Sequence, residues 1–109
     1  MKAFVFALVI LVLTIGLCTA NDLYCHSVCD DITAGVLSNT EEGASAALEK
    51  FRKNEFLLKC SVDNGYVIEA KVSLESLIAA YAHSDGYEIQ RYVYDTDVRV
   101  ERIRKSLYI

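Results

Sequence analysis

The chain has 109 residues, 53% of them hydrophobic, and its 15 acidic residues outnumber its 11 basic residues. This length is enough for one compact domain. The acidic balance argues against generic binding to nucleic acid or to an anionic membrane, because both rely on a positive field.

The first 20 residues have the pattern of a secretory signal peptide. Lys2 supplies a short basic region, residues 4–17 form an apolar core, and small residues at Cys18 and Ala20 precede a cleavage site. The apolar run is shorter than the roughly 20 residues that a membrane-spanning helix needs. We therefore predict cleavage after Ala20 and a secreted, extracellular protein with no membrane span, in which residues 21–109 form a single small domain.

Two helices are predicted at the start of the mature chain. Asp22 can cap the first, whose apolar residues recur at spacings of three and four, and residues 35–39 favour a left-handed end. The second, capped by Thr40 or Asn39, ends near Asn54 and has one apolar face formed by Ala44, Ala47, Leu48 and Phe51.

A β-hairpin is predicted next, with strands over residues 56–62 and 66–72. Asp63-Asn64-Gly65 lies between them, and these residues favour the tight turn of a hairpin. In both strands the even-numbered residues are mostly apolar, so we expect them to face the core, with Cys60 among them.

A third helix is predicted from a cap at Ser73 to residues 84–86. Residues 87–109 fit two patterns. Their alternation and their content of aromatic and β-branched residues favour two strands around Asp95-Thr96-Asp97, although several apolar residues also have helical spacing: Ile89, Tyr92 or Val93, Val100, Ile103 and Leu107. We predict an α+β fold in which the three helices pack on one face of an antiparallel sheet made of the hairpin and the C-terminal strand pair.

Three cysteines remain in the mature chain: Cys25, Cys29 and Cys60. Cys25 and Cys29 are four residues apart on a predicted helix, where the geometry disfavours a bond between them. We expect one of the two to pair with Cys60 in the oxidising extracellular compartment, and the leftover cysteine makes a disulfide-linked homodimer possible. The neighbouring His26, Asp30 and Asp31 could complete a metal or thiol site with these cysteines, but a structural disulfide is the favoured interpretation.

Seven tyrosines and no tryptophan distinguish the composition. Tyrosine and arginine are common at binding hot spots, because they combine apolar area with polar groups. Cross-strand packing is the competing interpretation. The candidate binding face lies on the predicted C-terminal strands and consists of Tyr87, Arg91, Tyr92, Tyr94, Arg99 and Arg102.

Short segments are similar to two secreted families. Cys25 and Leu58-Lys59-Cys60 resemble parts of the secretoglobins, which are small helical disulfide dimers, and residues 47–51 resemble part of the cystatin helix. The near-C-terminal cysteine of secretoglobins is missing, and the predicted hairpin disagrees with their all-helical fold. The inhibitory loop and paired C-terminal cysteines of cystatins are missing too, so we assign no family.

The sequence contains no arrangement that indicates catalysis. His83 and Asp85 lie two positions apart in the chain, but no motif places a nucleophile beside them. We therefore predict a non-enzymatic protein without a cofactor or metal. It would be a disulfide-stabilised binding protein, such as a toxin, a defence effector or an inhibitor, that acts on an extracellular protein or receptor. The alternatives are a carrier of a small apolar ligand, in a secretoglobin-like role, and a dimeric structural component of a secretion.

Overall fold

The computed structural model describes residues 21–107, and this part of the chain is helical. Four helices follow one another: α1 (Asp22–Leu37), α2 (Glu41–Ser61), α3 (Asn64–Ala82) and α4 (Gly86–Lys105). No strand occurs among residues 21–107. The predicted α+β fold with an antiparallel sheet is therefore wrong, and the predicted signal peptide lies outside the described residues.

The helices form a four-helix bundle. Each helix packs against the next, and α1 also packs against α4, which closes the ring. Connections of two or three residues require neighbouring helices to run antiparallel. Pairs at the two ends of α1 confirm this direction, because Tyr24 contacts Asn54 whereas Gly35 lies beside Gly43. None of these helices is long and apolar enough to cross a membrane.

The predicted first strand is the second half of α2. Phe51, Asn54 and Leu58 are buried at spacings of three and four, so the apolar face of α2 continues through residues 56–62. Lys59 also pairs with Glu55 one turn earlier, at 2.9 Å. The predicted end near Asn54 is wrong, because the Asn54 amide donates to the Lys50 carbonyl and its oxygen accepts from Tyr24 within the packed bundle.

The predicted hairpin turn is the start of α3. The Asp63 Oδ1 atom accepts a hydrogen bond of 2.7 Å from the Gly65 backbone N–H and caps the helix. This local bond is available both in a turn and at a helix N-terminus, so the motif does not distinguish between them. Ile68 and Val72, predicted to face the core, are exposed. The buried face of α3 instead follows helical spacing through Val67, Ala70, Leu74 and Leu77.

The predicted C-terminal strand pair is one helix, α4, and the alternative helical spacing was the correct pattern. Val93, Val100 and Ile103 are buried along one side of α4. Thr96, placed in a turn by the strand prediction, is fully buried in the middle of the helix. Its hydroxyl lies 2.8 Å from that of Ser73 on α3, so it joins two helices.

Glycine allows α1 and α2 to approach closely near their connection. A Cβ atom at Gly35 would lie 2.5 Å from the Gly43 carbonyl oxygen, and one at Gly43 would lie 2.6 Å from the Gly35 carbonyl oxygen. Asn39 then takes a φ of 56° between the two helices. This agrees with the prediction of a left-handed end for the first helix.

Candidate binding surface

The clearest candidate surface is the side of α4 that faces away from the core. Six residues occur there at spacings of four, three, four, three and four, which places them along one line on the helix. We call them the outer stripe: Tyr87, Arg91, Tyr94, Val98, Glu101 and Lys105.

The outer stripe exposes large apolar side chains. Tyr87 is 78% exposed, Tyr94 is 74% exposed and Val98 is 40% exposed. Arg91 lies between the two tyrosines, and its guanidinium contacts two residues of its own helix, Glu88 at 3.6 Å and the Tyr92 ring at 5.6 Å. Two tyrosines and an arginine on one solvent-facing line have the composition of a binding hot spot.

The structure separates the predicted binding residues into two groups. Tyr87, Arg91 and Tyr94 come together on the outer stripe. Arg99 and Arg102 turn toward α3, where both guanidinium groups pair with the Glu69 carboxylate at 2.9 and 3.3 Å. The sheet on which these residues were predicted to lie does not exist.

The second group ties α4 to α3. Arg99 also binds Asp95 at 3.1 Å on its own helix, and the Arg102 guanidinium lies 5.3 Å from the centre of the Tyr66 ring. Tyr92 is half-buried against the core. The contacts of Arg99, Arg102 and Tyr92 are those of packing within the bundle, so these residues are not assigned to a surface that binds another protein.

A small groove near the α3–α4 connection brings together residues that suit catalysis. Ser76, His83 and Asp85 all line it. The Ser76 hydroxyl, however, donates to the Val72 carbonyl of its own helix at 2.9 Å. No hydrogen bond joins His83 to either residue in this part of the described chain, so a nucleophile and its base are not assembled.

The cysteines correct another prediction. Cys25 and Cys29 are both free thiols, so neither is bonded to Cys60. No disulfide joins two cysteines within residues 21–107. Because both thiols are buried, with 1% exposure, neither is the exposed leftover cysteine on which the predicted disulfide-linked homodimer depended.

The two thiols are packed as apolar core residues of α1. The Cys25 sulfur lies 3.7 Å from the Ser61 hydroxyl. Burial raises the pKa of the Cys29 thiol to about 11, although the positive charge of Arg104 acts in the opposite direction. His26 pairs with Asp30 at 3.4 Å, where both side chains are partly exposed and the thiols are not. The residues considered for a metal or thiol site are therefore divided, with Cys25 and Cys29 in the core and His26 and Asp30 at the surface.

No known protein family matches the sequence, and no curated protein or solved structure is significantly similar to it. The toxin and defence-effector interpretations therefore have no support from relatives. The function has to be argued from the surface of the bundle.

Three residues of the outer stripe were not predicted: Val98, Glu101 and Lys105. The predicted strand pair placed Val98 and Glu101 on a second strand, which hid their relation to Tyr87 and Tyr94. The signal was nevertheless in the sequence, because the spacing of four and three continues without interruption from residue 87 to residue 105.

Proposed function

We propose that this chain is a secreted, non-enzymatic binding protein that contacts another extracellular protein through the outer stripe of α4. The observation that carries the proposal is the exposure of Tyr87 and Tyr94 beside Arg91 on one line. Export rests on the signal-peptide pattern of residues 1–20, and the non-enzymatic character rests on the absence of any catalytic sequence motif.

A packed bundle supports binding through its surface more than binding in its interior. The core positions of all four helices are filled by side chains, including Phe51, Leu58 and Leu74 at 0% exposure. A carrier of an apolar ligand needs an enclosed apolar space. The grooves found on the described helices are open to solvent and have charged residues at their edges, such as Glu49, Arg52 and Lys53.

The outer stripe is also suited to a protein partner by its shape. A straight helix face presents residues over about five turns, and partners commonly bind such a face in a groove or against another helix. Tyrosine side chains lose little conformational entropy when they become buried at an interface, because each has only two rotatable side-chain bonds.

The test uses protein purified from the medium of cells that express the full chain. An N-terminus at Asn21 is expected, and retention of the chain inside the cells would contradict export. The purified protein is then titrated on intact cells of the producing organism, and we expect saturable binding. The Tyr87→Ala/Tyr94→Ala double variant should bind at least about tenfold more weakly, since hot-spot residues each account for 1 kcal/mol or more.

The matched control is Phe56→Ala. Phe56 is an exposed aromatic residue on α2, across the bundle from α4. Its removal should leave binding unchanged. Equal losses in the control and in the double variant, or no saturable binding by the native protein, would refute the proposal.

A further inference from the structure

We infer that the outer stripe binds the same stripe of a second copy of this chain, with the two α4 helices antiparallel. The inference rests on the proposed function, because it uses the same binding surface and adds a second copy of the chain to the partners of that surface. It is carried by the symmetry of the stripe, whose six residues are complementary when the helix is reversed against itself.

Each charged residue of the stripe has a complementary residue at the same distance on the other side of the middle of the stripe. A two-fold axis beside residue 96 places Arg91 of each copy opposite Glu101 of the other, a cation opposite an anion. Within one copy these groups already have partners on α4, Glu88 for Arg91 and Arg104 for Glu101, so the contact between copies adds a second ion pair to each. The same axis places Tyr87 opposite Lys105, and an ammonium group over a tyrosine ring is favourable. In such an isologous contact each pair occurs twice.

The centre of the stripe is apolar. The axis places Tyr94 of one copy opposite Val98 of the other, and this pair too occurs twice. The alternating spacings of four and three keep the stripe on one line from residue 87 to residue 105, as in a coiled coil. The four exposed apolar side chains would be buried at the middle of the contact, with the charged pairs at its ends, which is the usual anatomy of an interface.

One residue, Asp97, opposes this arrangement, so its substitution should strengthen the dimer. Asp97 precedes Val98 and lies at the edge of the stripe, so the two copies of Asp97 come close to each other beside the axis. Two negative charges close to each other weaken association. Asp95 lies at the opposite edge, but its carboxylate is already paired with Arg99 at 3.1 Å.

The contact is small, so the dimer is weak. One pair of five-turn helices buries less than the ~1,600 Å² of a standard stable interface, and we expect a dissociation constant of about 10 µM to 1 mM.

Sedimentation equilibrium from about 1 µM to 1 mM tests self-association. We expect Arg91→Glu and Glu101→Arg each to weaken the dimer at least about fivefold, and the double variant to recover to within about twofold of the native protein, because it restores both pairs in reversed order. Asp97→Asn should strengthen association about two- to fivefold. Phe56→Ala is the control and should have no effect.

Orientation is tested by mixed oxidation of two single-cysteine variants. Tyr87→Cys and Lys105→Cys should form a disulfide with each other and not with themselves. Residues 87 and 105 are 18 positions apart, about 27 Å along a helix at 1.5 Å per residue. The native protein, oxidised in parallel, gives the background from its own cysteines.

Three results would overturn the inference: a native protein that is monomeric at 1 mM, a double variant weaker than both single variants, or cross-linking of Tyr87→Cys to itself. Far-UV circular dichroism of every variant ensures that lost association is not lost folding. A monomer that still binds cells through Tyr87 and Tyr94 would overturn self-association alone, whereas a dimer that binds no cell would overturn only the proposed function.

Discussion

The hydroxyl groups of Ser73 and Thr96 form a buried polar link between α3 and α4 that the sequence analysis did not predict, and a double-mutant cycle can measure it. The Ser73 hydroxyl donates to the Asp95 carboxylate at 3.0 Å and lies 2.8 Å from the Thr96 hydroxyl. Ser73 has one hydroxyl proton, so Thr96 must donate the second bond. The chain of bonds therefore runs from Thr96 through Ser73 to Asp95.

Removing the middle of this chain should cost more than removing its end. Ser73→Ala leaves the fully buried Thr96 hydroxyl without its partner, which costs about 1–3 kcal/mol. Thr96→Val removes the donor but leaves Ser73 bonded to Asp95, and should cost about 0.5–1.5 kcal/mol. In the double variant no hydroxyl remains unpaired, so it should be no less stable than Ser73→Ala.

Urea denaturation followed by far-UV circular dichroism measures the free energy of unfolding of the four proteins. The control is Ser76→Ala on the same helix. The Ser76 hydroxyl donates to the Val72 carbonyl of its own helix, so this variant reports the propensity effect of replacing serine by alanine. Independent sites have additive effects on the free energy of unfolding. If the loss in the double variant equals the sum of the two single losses to within about 0.3 kcal/mol, the coupling is refuted.

Three further predictions concern packing and burial. Gly43→Ala should destabilise the bundle by about 1–3 kcal/mol in urea denaturation, because the new Cβ collides with the Gly35 carbonyl; a native-like midpoint would contradict the close approach. Tyr81→Phe should leave the protein equally stable or up to about 1 kcal/mol more stable in the same assay, since the buried Tyr81 hydroxyl has no hydrogen-bond partner among residues 21–107; a clear loss of stability would show that it has one. Burial raises the pKa of the Cys29 thiol from 9.0 to about 11, so the unfolded chain ionises first as the pH rises. The contribution of this thiol is complete below pH 9 and falls by up to about 2–3 kcal/mol between pH 9 and 11. Comparison with Cys29→Ala at pH 8 and pH 10.5 isolates this change, and an equal difference at both values would contradict it.

The first two helices were predictable because their start signals are local. The Thr40 hydroxyl accepts from the Gly43 backbone N–H at 3.0 Å, as its position before two glutamates indicated. For the first helix the cap lies one residue earlier than predicted, at Asn21, whose side chain accepts from Leu23 and Tyr24. Such bonds depend only on residues two or three positions apart.

The hairpin prediction failed because seven residues are too few to separate a period of two from a period of 3.6. Leu58 and Ala70 are buried in either pattern, and they supported the strands as well as they support the helices. The burial of Val67 and the exposure of Phe56, Ile68 and Val72 distinguish the two patterns in the structure, but all four residues are apolar, so the sequence does not. The outcome depends on the whole bundle, because each buried face is covered by the two helices that pack against it.

The sequence predicted three of the six residues of the outer stripe. It predicted them from their composition and on a sheet, whereas in the structure they lie on a helix. Tyrosine and arginine content identified Tyr87, Arg91 and Tyr94, but it could not separate them from Arg99 and Arg102, whose partner Glu69 lies 30 or more residues away in the chain. Composition reports which residues suit an interface. The helix, and the position of the neighbouring helix, determine which of them reach solvent.

The exposure of the two tyrosines follows from the charges that share their face. Burying the outer stripe would place Arg91, Glu101 and Lys105 in the core at a cost of several kcal/mol per charge, whereas the opposite side of α4 has no charge among its buried residues. Tyr87 and Tyr94 therefore contribute little to folding. Replacing both by glutamine should change the free energy of unfolding by less than about 0.5 kcal/mol per site, as at other exposed positions. If stability instead falls by 2 kcal/mol or more, the tyrosines pack within the monomer, and neither the binding surface nor the antiparallel dimer can be based on them.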